Sequence, residues 1–171
     1  MPETTLGKLN RSAHLFYIDT TFGGATPEWY LVGKDVEDMS VELNPDVEIK
    51  KNILDETSAS DKGYEPSISV DTYYANPSDG AIYTKLKDIM MNRLTGDACR
   101  TKVLEVLVDL PNDGTTAFSA WTENAIIKPQ SYGGPQGGIS IPFTVHFDGD
   151  RKSGHASMTN RVPTFIVSSN G

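Results

Sequence analysis

Two periodicities divide the chain. Between Asn76 and Gly96 the apolar positions recur about every 3.6 residues. Ile82, Leu86, Ile89, Met90 and Leu94 share one face, with Lys85, Lys87, Asp88 and Asn92 largely off it. This predicts a single helix over 77–95. Asn76 suits the N-cap, Pro77 the first helical position, Asp79 a capping-box carboxylate and Gly96 a left-handed C′ residue.

Elsewhere the period is two. Strands are predicted over 13–19, 29–32, 66–74, 101–110, 118–128, 139–147 and 161–168. The clearest alternation sets Met39, Val41 and Leu43 against Asp38, Ser40, Glu42 and Asn44. After a turn at Asn44-Pro45-Asp46, Val47, Ile49 and Ile53 alternate with Glu48, Lys50 and Asn52, with Lys51 out of phase. Residues 36–54 therefore read as a long hairpin with one wet face, followed by a polar loop over 55–65. In the strand after the helix, Leu104, Val106, Val108 and Leu110 form the uniformly apolar set, and 111–116 reads as a turn. The fold class expected is α+β: one domain over 1–171, mostly an antiparallel β-sandwich with one flanking helix and an N-terminal arm over 1–12.

Composition narrows the function. The 171 residues carry a net charge of −8. Residues 35–79 hold twelve acids and three bases, whereas 80–171 hold eight acids and nine bases, so the excess comes from one stretch. A groove binder of duplex DNA is basic, which argues against binding by phosphate neutralisation. There is no apolar run of membrane-spanning length, and the first residues lack a signal-peptide core, so the expectation is folding in a cytosol. Cys99 is the only cysteine and reads as a small packed residue.

Catalytic and ligand-binding signals are thin. His14, His146 and His155 have no second ligand at metal spacing. Gly133-Gly134-Pro135-Gln136-Gly137-Gly138 lacks the Lys-Ser/Thr of a phosphate loop and reads as a connector. Asp148-Gly149-Asp150 lacks the spacing of a calcium loop. No carboxylate stands alone in an apolar setting. The expectation is no enzyme, no metal and no cofactor.

The order of several weak motifs is more specific. After the hairpin comes ILDET at 53–57, GYEPS at 63–67, and a helix opening on Asn76-Pro77. Ala120-Trp121-Thr122-Glu123, the paired glycines at 133–138 and a strand ending at Asp148-Gly149 follow. From about residue 13 onward this order resembles the tail tube (major tail) proteins of long-tailed bacteriophages and phage-like particles. The resemblance implies subunits assembled as stacked hexameric rings, inner sheets joining into a barrel, and a channel down which DNA passes without specific binding. It implies a virion tail location, folding in the host cytoplasm, and partnership with itself and other tail proteins.

On that basis Asp38, Ser40, Glu42, Glu48, Lys50, Asn52 and Asp71 are candidates to line the lumen. Acids there would repel phosphate and let the duplex slide. Candidate inter-subunit contacts are Thr57, Ser58, Ser60 and Asp61 in the polar loop, and Gly133, Gly134, Gly137 and Gly138. Two rivals of other classes stand beside this reading. One is a carbohydrate-binding or adhesin-like β-sandwich of a phage tail, which exposed aromatics around Trp29 or Tyr73-Tyr74 would support. The other is a β-sandwich enzyme with a site built from distant carboxylates. Within the reading's own class a tube protein of a contractile tail, which would also contact a sheath, is a third.

Overall fold

The computed structural model describes residues 7–34, 36–109 and 117–168. The expected turn at 111–116, Leu110 and the first half of the N-terminal arm lie outside them. In chain order the elements are β1 (His14–Asp19), β2 (Trp29–Val32), β3 (Val41–Glu42), β4 (Pro45–Lys51), β5 (Thr57–Tyr64) and β6 (Ser67–Val70). Then come α1 (Ala81–Asn92), β7 (Arg100–Leu107), β8 (Ala117–Pro129), β9 (Phe143–Phe147), β10 (Lys152–Thr159) and β11 (Val162–Val167). The class is α+β with antiparallel pairing, and α1 is the only α-helix among the described residues.

The chain forms two compact units. The first comprises 1–33, 100–124 and 149–171; the second comprises 34–99 and 125–148. Strand β8 contributes residues to both.

In the first unit the strand order is β2-β1-β7-β8-β10-β11. Leu31, Tyr17 and Leu104 line up across three strands, as do Tyr30, Ile18 and Val103. Tyr17, Leu104, Val106, Ala120 and Ala156 form a buried cluster, with Trp29, Val108, Phe118 and Phe165 packed against it. Strand β7 departs from the expected single apolar face. Val103 is as buried as Leu104, and Thr101 is buried too, its hydroxyl donating to the Asp19 carbonyl at 2.6 Å. Both faces of this central strand are covered, so the strict alternation of a half-wet strand does not apply.

Strand β10 is absent from the sequence reading because its residues, KSGHASMT, show no apolar alternation. It exists because it is zipped between β8 and β11. Asn160 and Arg161 join β10 to β11, and both have positive φ, 51° and 64°, as a type I′ hairpin turn requires.

In the second unit the order is β8-β9-β6-β3, with β4 and β5 as a separate two-stranded sheet. Val41, Ile68, Val145 and Ile127 form one row across four strands. The next row is Glu42, Ser67, His146 and Ile126. Ile68, Val145 and Ile127 of the first row are buried, as are Val70, Ile141 and Phe143, and Val41 is half-buried. Ile82, Leu86 and Ile89 of α1 are buried, as their spacing predicts.

The helix itself is shorter than 77–95. Asn76 does cap, accepting from the Ser78 amide at 3.0 Å, but it caps a 3-10 turn over Pro77–Asp79. Gly80, at φ 74° and ψ −126°, breaks the chain direction before α1 starts. Asp79 accepts from the Tyr73 hydroxyl rather than closing a capping box. Arg93, not Gly96, takes the left-handed position that ends the helix.

Candidate functional site

Residues 36–54 do not fold back on themselves. Strand β3 is only two residues long and pairs with β6; β4 pairs with β5. Asn44 sits where the chain passes from one pairing to the other. Its backbone is left-handed, at φ 46°, and its carboxamide donates to the Glu65 carbonyl at 3.0 Å. The Glu65 amide in turn donates to the Asn44 carbonyl. The expected turn at Asn44-Pro45-Asp46 is therefore a kink, and the hairpin runs over 45–64.

The true turn is at 52–56. The Asn52 carboxamide oxygen accepts from the amides of Leu54 and Glu56 at 2.8 and 3.0 Å. Asp55 takes a left-handed φ of 61°. This is a three-residue hairpin loop organised by an Asx turn. The stretch expected to be a loop, 55–65, is mostly strand β5. Its residues are small and polar, but they need no core because β4 supplies the backbone partners.

The arm has two unlike faces. Register places Val47, Ile49 and Lys51 beside Asp61, Ala59 and Thr57. Glu48 and Lys50 stand beside Ser60 and Ser58 on the other face. There Glu48 bridges two lysines, Lys50 at 3.3 Å and Lys62 at 2.9 Å. The first face carries apolar side chains that nothing covers: Val47 is 52% and Ile49 69% exposed. At the tip Ile53 is fully exposed and Leu54 is 72% exposed. The sequence pattern sets Val47, Ile49 and Ile53 on the apolar face of a hairpin with one wet face; within this chain all three are bare. The arm is thus a two-stranded ribbon whose apolar face is left uncovered within this chain.

The other candidate residues are placed as follows. Asp38 and Ser40 are exposed and lie outside regular strand, ahead of β3. Glu42 is exposed on β3, and Asp71, also exposed, accepts from the Ser69 hydroxyl at 2.8 Å. Ser69 is in phase with Ser67, the pairing partner of Glu42, so Glu42 and Asp71 fall on the polar face of one sheet. Glu48, Lys50 and Asn52 stand apart from them on the arm. Gly133 exchanges both backbone hydrogen bonds with Ser140, which closes the glycine-rich loop on itself. Gly133, Gly134, Gly137 and Gly138 all have positive φ. A Cβ on Gly138 would meet the Tyr74 ring at 3.2 Å.

Remaining polar clusters are structural. Glu105 accepts from His14 at 3.0 Å and from Arg151 at 3.2 Å, and Arg151 also reaches Glu123 at 3.3 Å. Burial pushes the Glu105 carboxyl up, but the His14 hydrogen bond and the Arg151 charge outweigh it and hold the carboxyl below its usual range. Arg151 lies over the Trp121 ring, 5.7 Å from its centre. Trp29 packs on the core and Tyr73 is buried, whereas Tyr74 is 46% exposed. Among the described residues no His, Cys, Asp or Glu group could hold a metal, and no helix is long and apolar enough to cross a membrane.

No protein-family model matches the chain, and no curated protein matches it in sequence. Solved structures do match in fold. A chain of the anti-feeding prophage cap, the AFP tube terminating cap, is 12% identical with a TM-score of 0.51, covering 90% of this chain and 98% of that one. A chain of the PVC sheath/tube terminator, from an extracellular contractile injection system in its extended state, is 10% identical with a TM-score of 0.50, covering 87% and 98%. A chain of the PVC sheath-tube complex is 11% identical with a TM-score of 0.49, covering 90% and 95%. The chain thus has the fold of proteins from phage-like tail particles, as the motif order in its sequence implies.

Proposed function

We propose that this chain is a structural subunit of a tail tube, which assembles with copies of itself into hexameric rings that stack around a channel. The observation that carries the reading is the β4–β5 arm. A single chain leaves Val47, Ile49, Ile53 and Leu54 in water, and a neighbouring copy would cover them. The tail-particle fold supplies the context. Edge strands in each unit leave backbone groups unpaired, and a ring that joins sheets between copies would satisfy them.

In the assembled tube the polar sheet face with Glu42 and Asp71 lines the lumen, where weak repulsion keeps DNA from sticking during ejection. Asp38 and Ser40 belong to the same surface. Glu48, Lys50 and Asn52 follow the arm, and Thr57, Ser58, Ser60 and Asp61 are contact residues because they lie on its strand β5. The closed glycine-rich loop, with Gly133, Gly134, Gly137 and Gly138, is a second contact. No step of this function is catalytic.

Sedimentation velocity over a concentration series tests the reading. Discrete species of six subunits and larger multiples are expected; a monomer at every concentration would overturn it. A second reading, a tube terminator or cap, is favoured by the two structures quoted at TM-scores of 0.50 and 0.51. A terminator would give six-subunit rings with no larger multiples.

A further inference from the structure

A cleft opens at the C-terminal end of α1, within the second unit. Its volume is about 340 Å³, at the small end of the range for ligand sites. Ile89, Met90, Leu94 and Tyr132 contribute apolar surface, and Arg93 and Lys128 contribute charge. The Lys128 ammonium donates to the Leu94 carbonyl at 3.0 Å, which holds it at the helix end. The exposed Arg93 guanidinium has no ion-pair partner among the described residues. Its backbone, in the left-handed C-cap position, ends the helix at the edge of the cleft. The cleft is therefore apolar with a cationic rim.

The hairpin tip is its complement. Ile53 and Leu54 project two bare aliphatic side chains, and Asp55 and Glu56 follow immediately. The Asp55 carboxylate is 87% exposed even with Lys51 at 3.2 Å. Asn52 ties the turn together, accepting from the Leu54 and Glu56 amides and donating to the Glu56 carboxylate at 2.7 Å. Full exposure of Ile53 shows that the tip is not seated in its own chain's cleft.

We propose that the hairpin tip of one copy, Ile53 to Glu56, seats in the α1 cleft of a second copy. The aliphatic pair fills the apolar floor, and the two acids face Arg93 and Lys128. Each chain offers one tip and one cleft, so the contact is head-to-tail and propagates to a closed ring or a stack. This rests on the proposed self-assembly and assigns it a particular contact.

Cysteine cross-linking on the full chain tests it. Leu54→Cys is combined with Ser131→Cys, a cleft residue, while the buried Cys99 stays inert. Oxidation of the assembled double variant is expected to give a ladder of covalent multimers, and neither single variant should pass beyond a dimer. In parallel, Arg93→Glu should raise the concentration for half-assembly about tenfold or more. Adding Asp55→Arg should bring it back, with each variant still showing a cooperative thermal melt. Assembly without a ladder and without charge-swap rescue assigns the cleft to another occupant and overturns the inference, leaving the proposed function standing. A wild-type chain that never assembles overturns both.

Discussion

At the scale of single residues, burial and pairing set the expectations. Leu86 is fully buried on the inner face of α1, so Leu86→Ala should cost about 2–5 kcal/mol. An unchanged thermal melt would contradict the placement of the helix. Gly154 is the tightest glycine among the described residues: an added Cβ would lie 2.2 Å from the Ile166 carbonyl oxygen and 2.7 Å from the Phe165 ring. Gly154→Ala must push β10 and β11 apart and should cost about 1–3 kcal/mol, read by urea denaturation. Glu105 gives the fold an acid limit. Its carboxyl is held below the ordinary value of 4.5, so its stabilising effect is complete above that pH. The effect is lost as pH falls through the lowered value. Glu105→Gln should flatten the fall in stability below about pH 4.5; a curve parallel to the wild type would show that the His14 and Arg151 contacts are not what lowers the carboxyl.

At the scale of elements, the arm over 45–64 allows the proposed assembly to be tested apart from folding. Ile49 is 69% exposed in the single chain, so Ile49→Asp should leave monomer stability within about 0.5 kcal/mol of wild type. It should nonetheless abolish assembly measured by light scattering. Normal assembly of this variant would mean that the apolar face of the arm is not a contact. The same element shows how far the sequence could be read. Strands β1, β2, β6, β7, β8, β9 and β11 were legible as apolar or β-branched runs, and the buried stripe of α1 from its 3.6-residue period. The hairpin was legible as a two-faced pair but displaced by one strand. Asn44-Pro45-Asp46 carries the stronger turn signal, whereas the actual turn at Asn52 depends on a carboxamide folding back on its own chain. A polar strand such as β5 or β10 has no periodicity of its own; its partner strands make it. The helix ends were displaced for a related reason: the left-handed break falls on Gly80 and Arg93, and a positive φ at arginine has no local signature. The candidate lumen residues were read as one wet face, but the kink at Asn44 divides Glu42 from Glu48. The cationic cleft was not legible, since Arg93 and Lys128 meet only through the tertiary fold.

At the scale of the whole molecule, the uneven charge acquires a place. The acidic stretch 35–79 includes β3, the arm and β6, the segments assigned here to channel and contacts. Glu42→Lys should leave the melting temperature of the chain unchanged, since the side chain is exposed and unpaired with any lysine or arginine among the described residues. In particles assembled from that variant, DNA ejection should slow, and more so at low salt, where screening is weakest. Ejection at the wild-type rate at every salt concentration would remove Glu42 from the lumen. The account as a whole stands on self-assembly, which negative-stain electron microscopy of the purified chain at high concentration tests most directly. It predicts rings of six subunits stacked into hollow tubes; a field of separate single-chain particles at the highest concentration reached would contradict it.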